Sequence, residues 1–240
     1  MAPTHAGIIL AAGRGSRLGK LTKQIHKCQV CVRGKPLIEW QIEAFQEAGL
    51  GQLAIITGYL ADNFTYPVQY FQNARWHETN MVFSLHQADA LLSTMPCIVS
   101  YSDIIYPSSI VRCLMEADHD IAISYDPNWE SLWSARFGNP LDDAETFKQR
   151  NGVLLEIGQK PLGLEEIEGQ YMGLLKFTPN GWSHFKQHLN DVDELDMTGA
   201  LQKLVLHGTR IHTVKHDDWW FEIDTPKDIE IAETLVAQHS

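Results

Sequence analysis

The stretch "LAAGRGSRLGKLTKQIHK", residues 10–27, carries five Lys or Arg, three Gly and no acid. Glycines let backbone amides approach an anion closely, and Arg and Lys neutralise it, so these residue types suit phosphate. Two familiar phosphate loops do not fit. The dinucleotide pattern GxGxxG fails because Leu18 stands where the third glycine belongs, after Gly13 and Gly15. The pattern GxxxxGK[ST] fails because five residues separate Gly13 from Gly19, and Leu21 follows Lys20 in place of Ser or Thr. A second constellation lies late in the chain, where Trp129, Trp133, Tyr171, Trp219 and Trp220 accompany Asp126, Glu222 and Asp224. An aromatic wall with acids nearby is a way to hold an ammonium group. Trp133, in a polar stretch with little else to pack on, is its foremost candidate. Cys28 and Cys31 form a CxxC, but neither a second pair nor a His at ligand spacing follows, so no zinc site is expected.

Charge is distributed unevenly. The 240 residues carry a formal net charge of -11, yet seven Lys or Arg precede the first acid, Glu39. The rest of the chain is correspondingly more acidic, which argues against duplex nucleic acid as a partner and for a small, highly charged ligand. No apolar run is long enough to span a membrane. Four cysteines in apolar or strand-like contexts suit reduced thiols, so a cytoplasmic location is expected.

These residues need a scaffold, and the hydrophobic pattern supplies one. Strands are expected at 6–12, 53–59, 95–104, 120–126, 170–178 and 210–216. Helices are expected at 35–50, 79–92, 108–117, 181–189, 197–208 and after Asp224, where Thr225 is a natural cap and Pro226 opens the first turn. This alternation predicts an α/β fold: a Rossmann-like, mostly parallel sheet with helices on both faces. Between about 127 and 164 the rhythm breaks into a polar, Trp-containing insertion, read as a small substrate lobe. With no repeats or linker, residues 1–240 are expected to form one domain. The glycine loop then falls at the carboxyl end of the first strand, where open α/β sheets bind ligands.

"ILAAGRGSRLGKLT", Lys27, "VRGKPLIEWQIEAFQEAG", "GYLAD", "YMGLLKFT" and "WWFEIDTPKDIEIAE" together resemble the nucleoside triphosphate transferases, which have a GT-A-like fold. "DMT" and the Trp220–Asp224 segment are similar to the small-substrate cytidylyltransferase branch, of the phosphocholine and aminoalkylphosphonate type. The resemblance implies transfer of a nucleotidyl group, CMP from CTP, to a small phosphorylated or phosphonylated amine such as phosphocholine or 2-aminoethylphosphonate, with release of pyrophosphate. It implies nucleotide contacts from Leu10, Ala11, Ala12 and Gly13, a β,γ-phosphate cradle of Gly15, Ser16 and Arg17, and a Lys27 that meets charge on the α-phosphoryl group. Gly58, Tyr59, Asn80 and Ser84 match positions that approach the base or ribose. Asp103 and Asp224 are the expected Mg²⁺ pair, because crowded phosphates need a divalent cation held by carboxylates. Trp133, Tyr171, Trp220 and Glu222 are the expected acceptor contacts. Where relatives usually carry proline before the lysine, this chain has His26. Two alternatives remain at this stage: a sugar-1-phosphate uridylyl- or thymidylyltransferase, and a non-catalytic nucleotide-sensing subunit.

Overall fold

Strand β1 (Ala6–Ala11) is apolar along its whole length because both its faces are covered. Ala6, Ile8 and Leu10 enter one buried cluster, while Ile9 and Ala11 enter another on the opposite face. The computed structural model describes residues 5–189 and 192–237. In chain order, the strands of the central sheet are β1, β2 (Gln52–Thr57), β3 (Gln69–Gln72), β4 (Cys97–Tyr101), β5 (Ile121–Asp126), β6 (Phe147–Arg150), β7 (Val153–Ile157), β8 (Gln170–Phe177) and β9 (His212–Lys215). Their spatial order is β3-β2-β1-β4-β8-β5-β9-β7-β6. Only β8 and β7 run against the others, so the sheet is mixed and mostly parallel.

The helices are α1 (Leu37–Glu47), α2 (Met81–His86), α3 (Asp89–Leu92), α4 (Ser108–Glu116), α5 (Trp129–Phe137), α6 (Pro179–Gln187), α7 (Met197–Leu206) and α8 (Pro226–Val236). Val82, Leu85, Trp182, Phe185, Leu201 and Leu204 bring α2, α6 and α7 onto one face of the sheet. Ile38, Phe45, Ile110, Leu114, Trp129 and Trp133 bring α1, α4 and α5 onto the other. Helix α8 packs Ala232 and Val236 against Leu37, Ile223 and Phe221. Its start carries a reciprocal cap between Thr225 and Asp228, with Pro226 in the first turn.

Three departures from the sequence pattern have local causes. The helix expected over 79–92 is two, because the chain leaves helical geometry at Ala88. Strand β3, "QYFQ", lies at the sheet edge with three of four residues exposed, so no buried alternation marks it. The polar segment over 127–164 contains α5 and the β6–β7 hairpin, and the hairpin continues the central sheet through β9.

Candidate active site

Parallel pairing of β1 with β4, in the register Leu10 to Tyr101, sets the glycine loop beside the turn that carries Asp103. Antiparallel β8 brings Gln170 and Tyr171 to the same end, opposite Asp126 and Tyr125. A two-stranded ribbon pairs Phe221 with Ile105 and Glu222 with Ile104, and Ile223 N–H donates to the Asp103 carbonyl at 2.8 Å. The ribbon thereby lays the segment before α8 against the loop after β4.

At the junction sits Lys27. Its Nζ donates to Asp103 Oδ2 at 2.7 Å and to Asp224 Oδ1 at 2.6 Å, and the side chain is only 8% exposed. Burial alone would lower the ammonium's pKa, but Asp103 and Asp224 outweigh it and raise it. The same contacts hold the Asp224 carboxyl below its ordinary range although burial pushes it up, with Arg17 and Arg136 contributing. Gly15 makes the approach feasible. It has φ +65°, and a Cβ there would lie 2.7 Å from Lys27 Cβ. His26, where the resemblance implies proline, has φ -70° and ψ 150°, the extended geometry a proline would also take. Its Nδ1 accepts from Cys28 N–H and its own N–H donates to Gln29 Oε1, so the imidazole caps the turn that begins at Lys27. Burial lowers its pKa to about 4.

Arg17, largely exposed, reaches Asp224 Oδ1 at 2.8 Å and Asp143 at 3.8 Å. Behind the acids, buried Arg136 of α5 donates to Glu222 Oε2 at 2.8 Å, Asp224 Oδ2 at 3.2 Å and Asp228 Oδ1 at 3.0 Å. Glu222, placed with the acceptor contacts by sequence, therefore lies with the expected metal pair. Among the described residues, Asp103, Glu222 and Asp224 are the cluster whose ligand atoms all fall within 4.8 Å of one another. Burial first, then the charge of Asp224, pushes the Glu222 carboxyl up to about 7.

Two cavities share Met81 in their lining, and the larger reaches Glu222 and Asp224 of this cluster. The smaller, of about 130 Å³, is lined by Leu10, Ala12, Gly13, Asn80, Met81 and Ser84, with Trp76 and Thr79. It gathers five of the expected nucleotide contacts. Ala11 faces the opposite core. Asn80 caps α2 through Met81 N–H at 2.8 Å, and Ser84 accepts from buried Asn73 at 3.0 Å. Gly58 and Tyr59 stand next to β1, with Tyr59 N–H donating to the Ala12 carbonyl. Tyr59 also ties down the glycine loop, donating to the Thr22 and Lys23 carbonyls. Ser16 lies with Arg17 in the single turn Ser16–Leu18.

The larger cavity, of about 320 Å³, brings together Arg17, Trp133, Tyr171, Glu222 and Asp224 with Asp143, Glu145 and Asp196. Burial raises the pKa of both the Asp143 and the Glu145 carboxyls. The expectation that Trp133 has little to pack on is corrected. It is 3% exposed, touches Trp129, Phe137 and Trp220, and has the Arg136 guanidinium 4.9 Å from its ring centroid. Trp220 does not line the cavity; it is buried and donates through Nε1 to Asp126 at 2.9 Å. Sequence reading missed Arg136, Asp143, Glu145 and Trp76. Nothing in the sequence marks Arg136, since the ordinary place for a charged residue between Trp133 and Phe137 is the exposed face of a helix.

The glycine loop thus stands over the carboxyl ends of a mostly parallel sheet, where open α/β sheets bind ligands, with a buried lysine clasped by two acids. The chain belongs to the family with a MobA-like NTP transferase domain, whose model matches residues 7–159. It is 39% identical to the CTP:phosphoglutamine cytidylyltransferase of Campylobacter jejuni over 93% of this chain and 97% of that protein. A shorter stretch, 33% of this chain and 37% of the relative, is 42% identical to the choline-phosphate cytidylyltransferase of Streptococcus pneumoniae. Solved structures share the fold. The inositol-1-phosphate CTP transferase of T. maritima superposes with TM-score 0.79 at 17% identity, covering 98% of this chain and 96% of that one. The CTP:phosphocholine cytidylyltransferase of Streptococcus pneumoniae superposes with TM-score 0.71 at 20% identity, covering 97% and 99%. Among the described residues, no helix is long and apolar enough to cross a membrane.

Proposed function

We propose that this enzyme transfers a cytidylyl group from CTP to a small phosphorylated or phosphonylated amine. An acceptor phosphate oxygen attacks the α-phosphorus, the bond from that phosphorus to the bridging oxygen breaks, and pyrophosphate leaves. A phosphate monoester is largely a dianion at neutral pH, so the attacking oxygen needs no general base. The chain's task is positioning and charge neutralisation. The observation that carries this reading is Lys27, a buried ammonium beneath the glycine loop with Nζ 2.7 Å from Asp103 and 2.6 Å from Asp224. Lys27 turns its charge to the α-phosphoryl group, while the loop amides and Arg17 hold the outer phosphates.

The donor set also fits a hard cation. Asp103 Oδ1 is buried with no hydrogen-bond partner, and the cluster with Glu222 and Asp224 offers only carboxylate oxygens. Asp103 and Asp224, with Glu222 beside them, would hold Mg²⁺, which when bound neutralises crowded phosphate oxygens. The amine assignment rests on the acids of the larger cavity, Asp143, Glu145 and Asp196, and on the relatives named for phosphoglutamine, choline phosphate and 2-aminoethylphosphonate. Pyrophosphate release from each of the four NTPs, with phosphocholine, 2-aminoethylphosphonate or glucose 1-phosphate, tests the reading. Turnover with CTP and an amine acceptor supports it. Turnover confined to UTP or dTTP with glucose 1-phosphate overturns it.

A further inference from the structure

The fork of Arg136 takes one oxygen from each of three carboxylates: Glu222 Oε2, Asp224 Oδ2 and Asp228 Oδ1. The Arg136 contact to Asp224 Oδ2 leaves Asp224 Oδ1 for Lys27 at 2.6 Å and Arg17 at 2.8 Å, and Glu222 lines the same cavity. The anchor is itself anchored. Asp228 Oδ2 accepts from the Asp224 and Thr225 N–H groups at 3.0 and 2.7 Å, and Lys227 Nζ donates to the Arg136 carbonyl at 2.8 Å. The guanidinium lies 4.9 and 4.8 Å from the Trp133 and Phe137 ring centroids, and its side chain is 1% exposed. A charge so deeply buried is costly unless it compensates neighbours of opposite sign.

We infer that Arg136 is a positioning residue: from the segment between β5 and β8 it fixes which oxygens of Asp224 and Glu222 face the cleft and offsets their mutual repulsion. The inference rests on the carboxylate cluster being the cation site. A lysine at this position keeps the charge but lacks the planar three-way fork, so it separates geometry from charge. Partners behind metal ligands typically set affinity by about 10- to 100-fold.

The test is Mn²⁺ binding to the whole chain followed by electron paramagnetic resonance without turnover, alongside thermal melting. Arg136→Lys is expected to weaken Mn²⁺ binding on the order of 10-fold. Thr178→Ala, which removes the cap of α6 far from the cluster, lowers the melting temperature with unchanged Mn²⁺ affinity. Wild-type Mn²⁺ affinity in Arg136→Lys overturns the inference. Should that variant fail to fold, Asp228→Asn weakens the same anchor without replacing a cluster ligand, and there wild-type affinity refutes and a several-fold loss supports. Asp103→Asn distinguishes the two levels. If it leaves Mn²⁺ binding unchanged, the cation site is elsewhere and the inference falls with it; if it abolishes binding while Arg136→Lys does not weaken it, the inference alone is wrong.

Discussion

Lys27→Met keeps the length of the side chain and removes its charge. Lys27 Nζ contacts both Asp103 and Asp224, and the carboxylates it bridges have ligand atoms within 4.8 Å of each other. Two unit charges at that separation repel by about 3.5 kcal/mol at an effective dielectric constant of about 20. Removing one partner of a buried ion pair costs about 3 to 5 kcal/mol in general, so the two routes agree. For a chain of this size that is a fall of roughly 10 °C in melting temperature. The variant should recover stability in Mg²⁺ more strongly than the wild type, since the cation then replaces the missing charge. At a Mg²⁺ concentration 100 times its dissociation constant the recovery is about 2.7 kcal/mol. Catalysis should not recover, because the contact proposed between Lys27 and the α-phosphoryl group is gone, and kcat should stay down by on the order of 10²-fold or more. Melting curves in EDTA and in Mg²⁺, with pyrophosphate release in parallel, measure all three quantities. A variant that melts with the wild type in EDTA refutes the bridging role of Lys27. One that melts lower and gains no more from Mg²⁺ than the wild type refutes the replacement of the lysine charge by the cation, and no gain in either refutes the cation site.

His26 titrates as a buried group, with its pKa lowered from 6.5 to about 4. Its contribution is therefore complete above pH 6.5 and disappears as pH falls toward 4, a loss of about 3 kcal/mol. Urea unfolding between pH 7 and pH 4 should show this slope in the wild type and lose it in His26→Gln; equal slopes would place the titration elsewhere. A Cβ on Gly58 would stand 2.7 Å from the Ala12 carbonyl and 2.6 Å from Trp76, so Gly58→Ala should raise the KM for CTP several-fold, with little change in acceptor KM. Equal effects on both substrates would argue against a role on the nucleotide side. Trp133→Leu should cost about 2 to 4 kcal/mol of stability through lost packing, read by denaturant unfolding. A change confined to acceptor KM would instead restore the view of Trp133 as primarily a ligand contact.

The glycine loop and β1 were legible because a buried strand ending in Gly13 and Gly15 has few other readings. The clasp on Lys27 was not, since it joins positions 76 and 197 residues apart and depends on the ribbon between Glu222 and Ile104. Helix α5 escaped because the one face it buries, Trp129, Trp133 and Arg136 at helical spacing, contains a charge. Trp129, Trp133 and Trp220, read as part of an aromatic wall for an ammonium group, are buried. Pattern shows that a side chain is apolar, whereas only packing shows what covers it.

The ion pairs of Lys27 also order events during synthesis. The lysine leaves the ribosome early, Asp103 follows, and Asp224 arrives close to 200 residues after the lysine. Domains fold as the chain emerges, yet this charge cannot be compensated on both sides until the segment before α8 has docked. Until then the ammonium and its loop remain hydrated, and the cleft stays unfinished. A translational pause or a premature stop between positions 177 and 224 would therefore yield a sheet with most of its strands and a half-balanced site, a species open to proteolysis that the completed chain no longer presents.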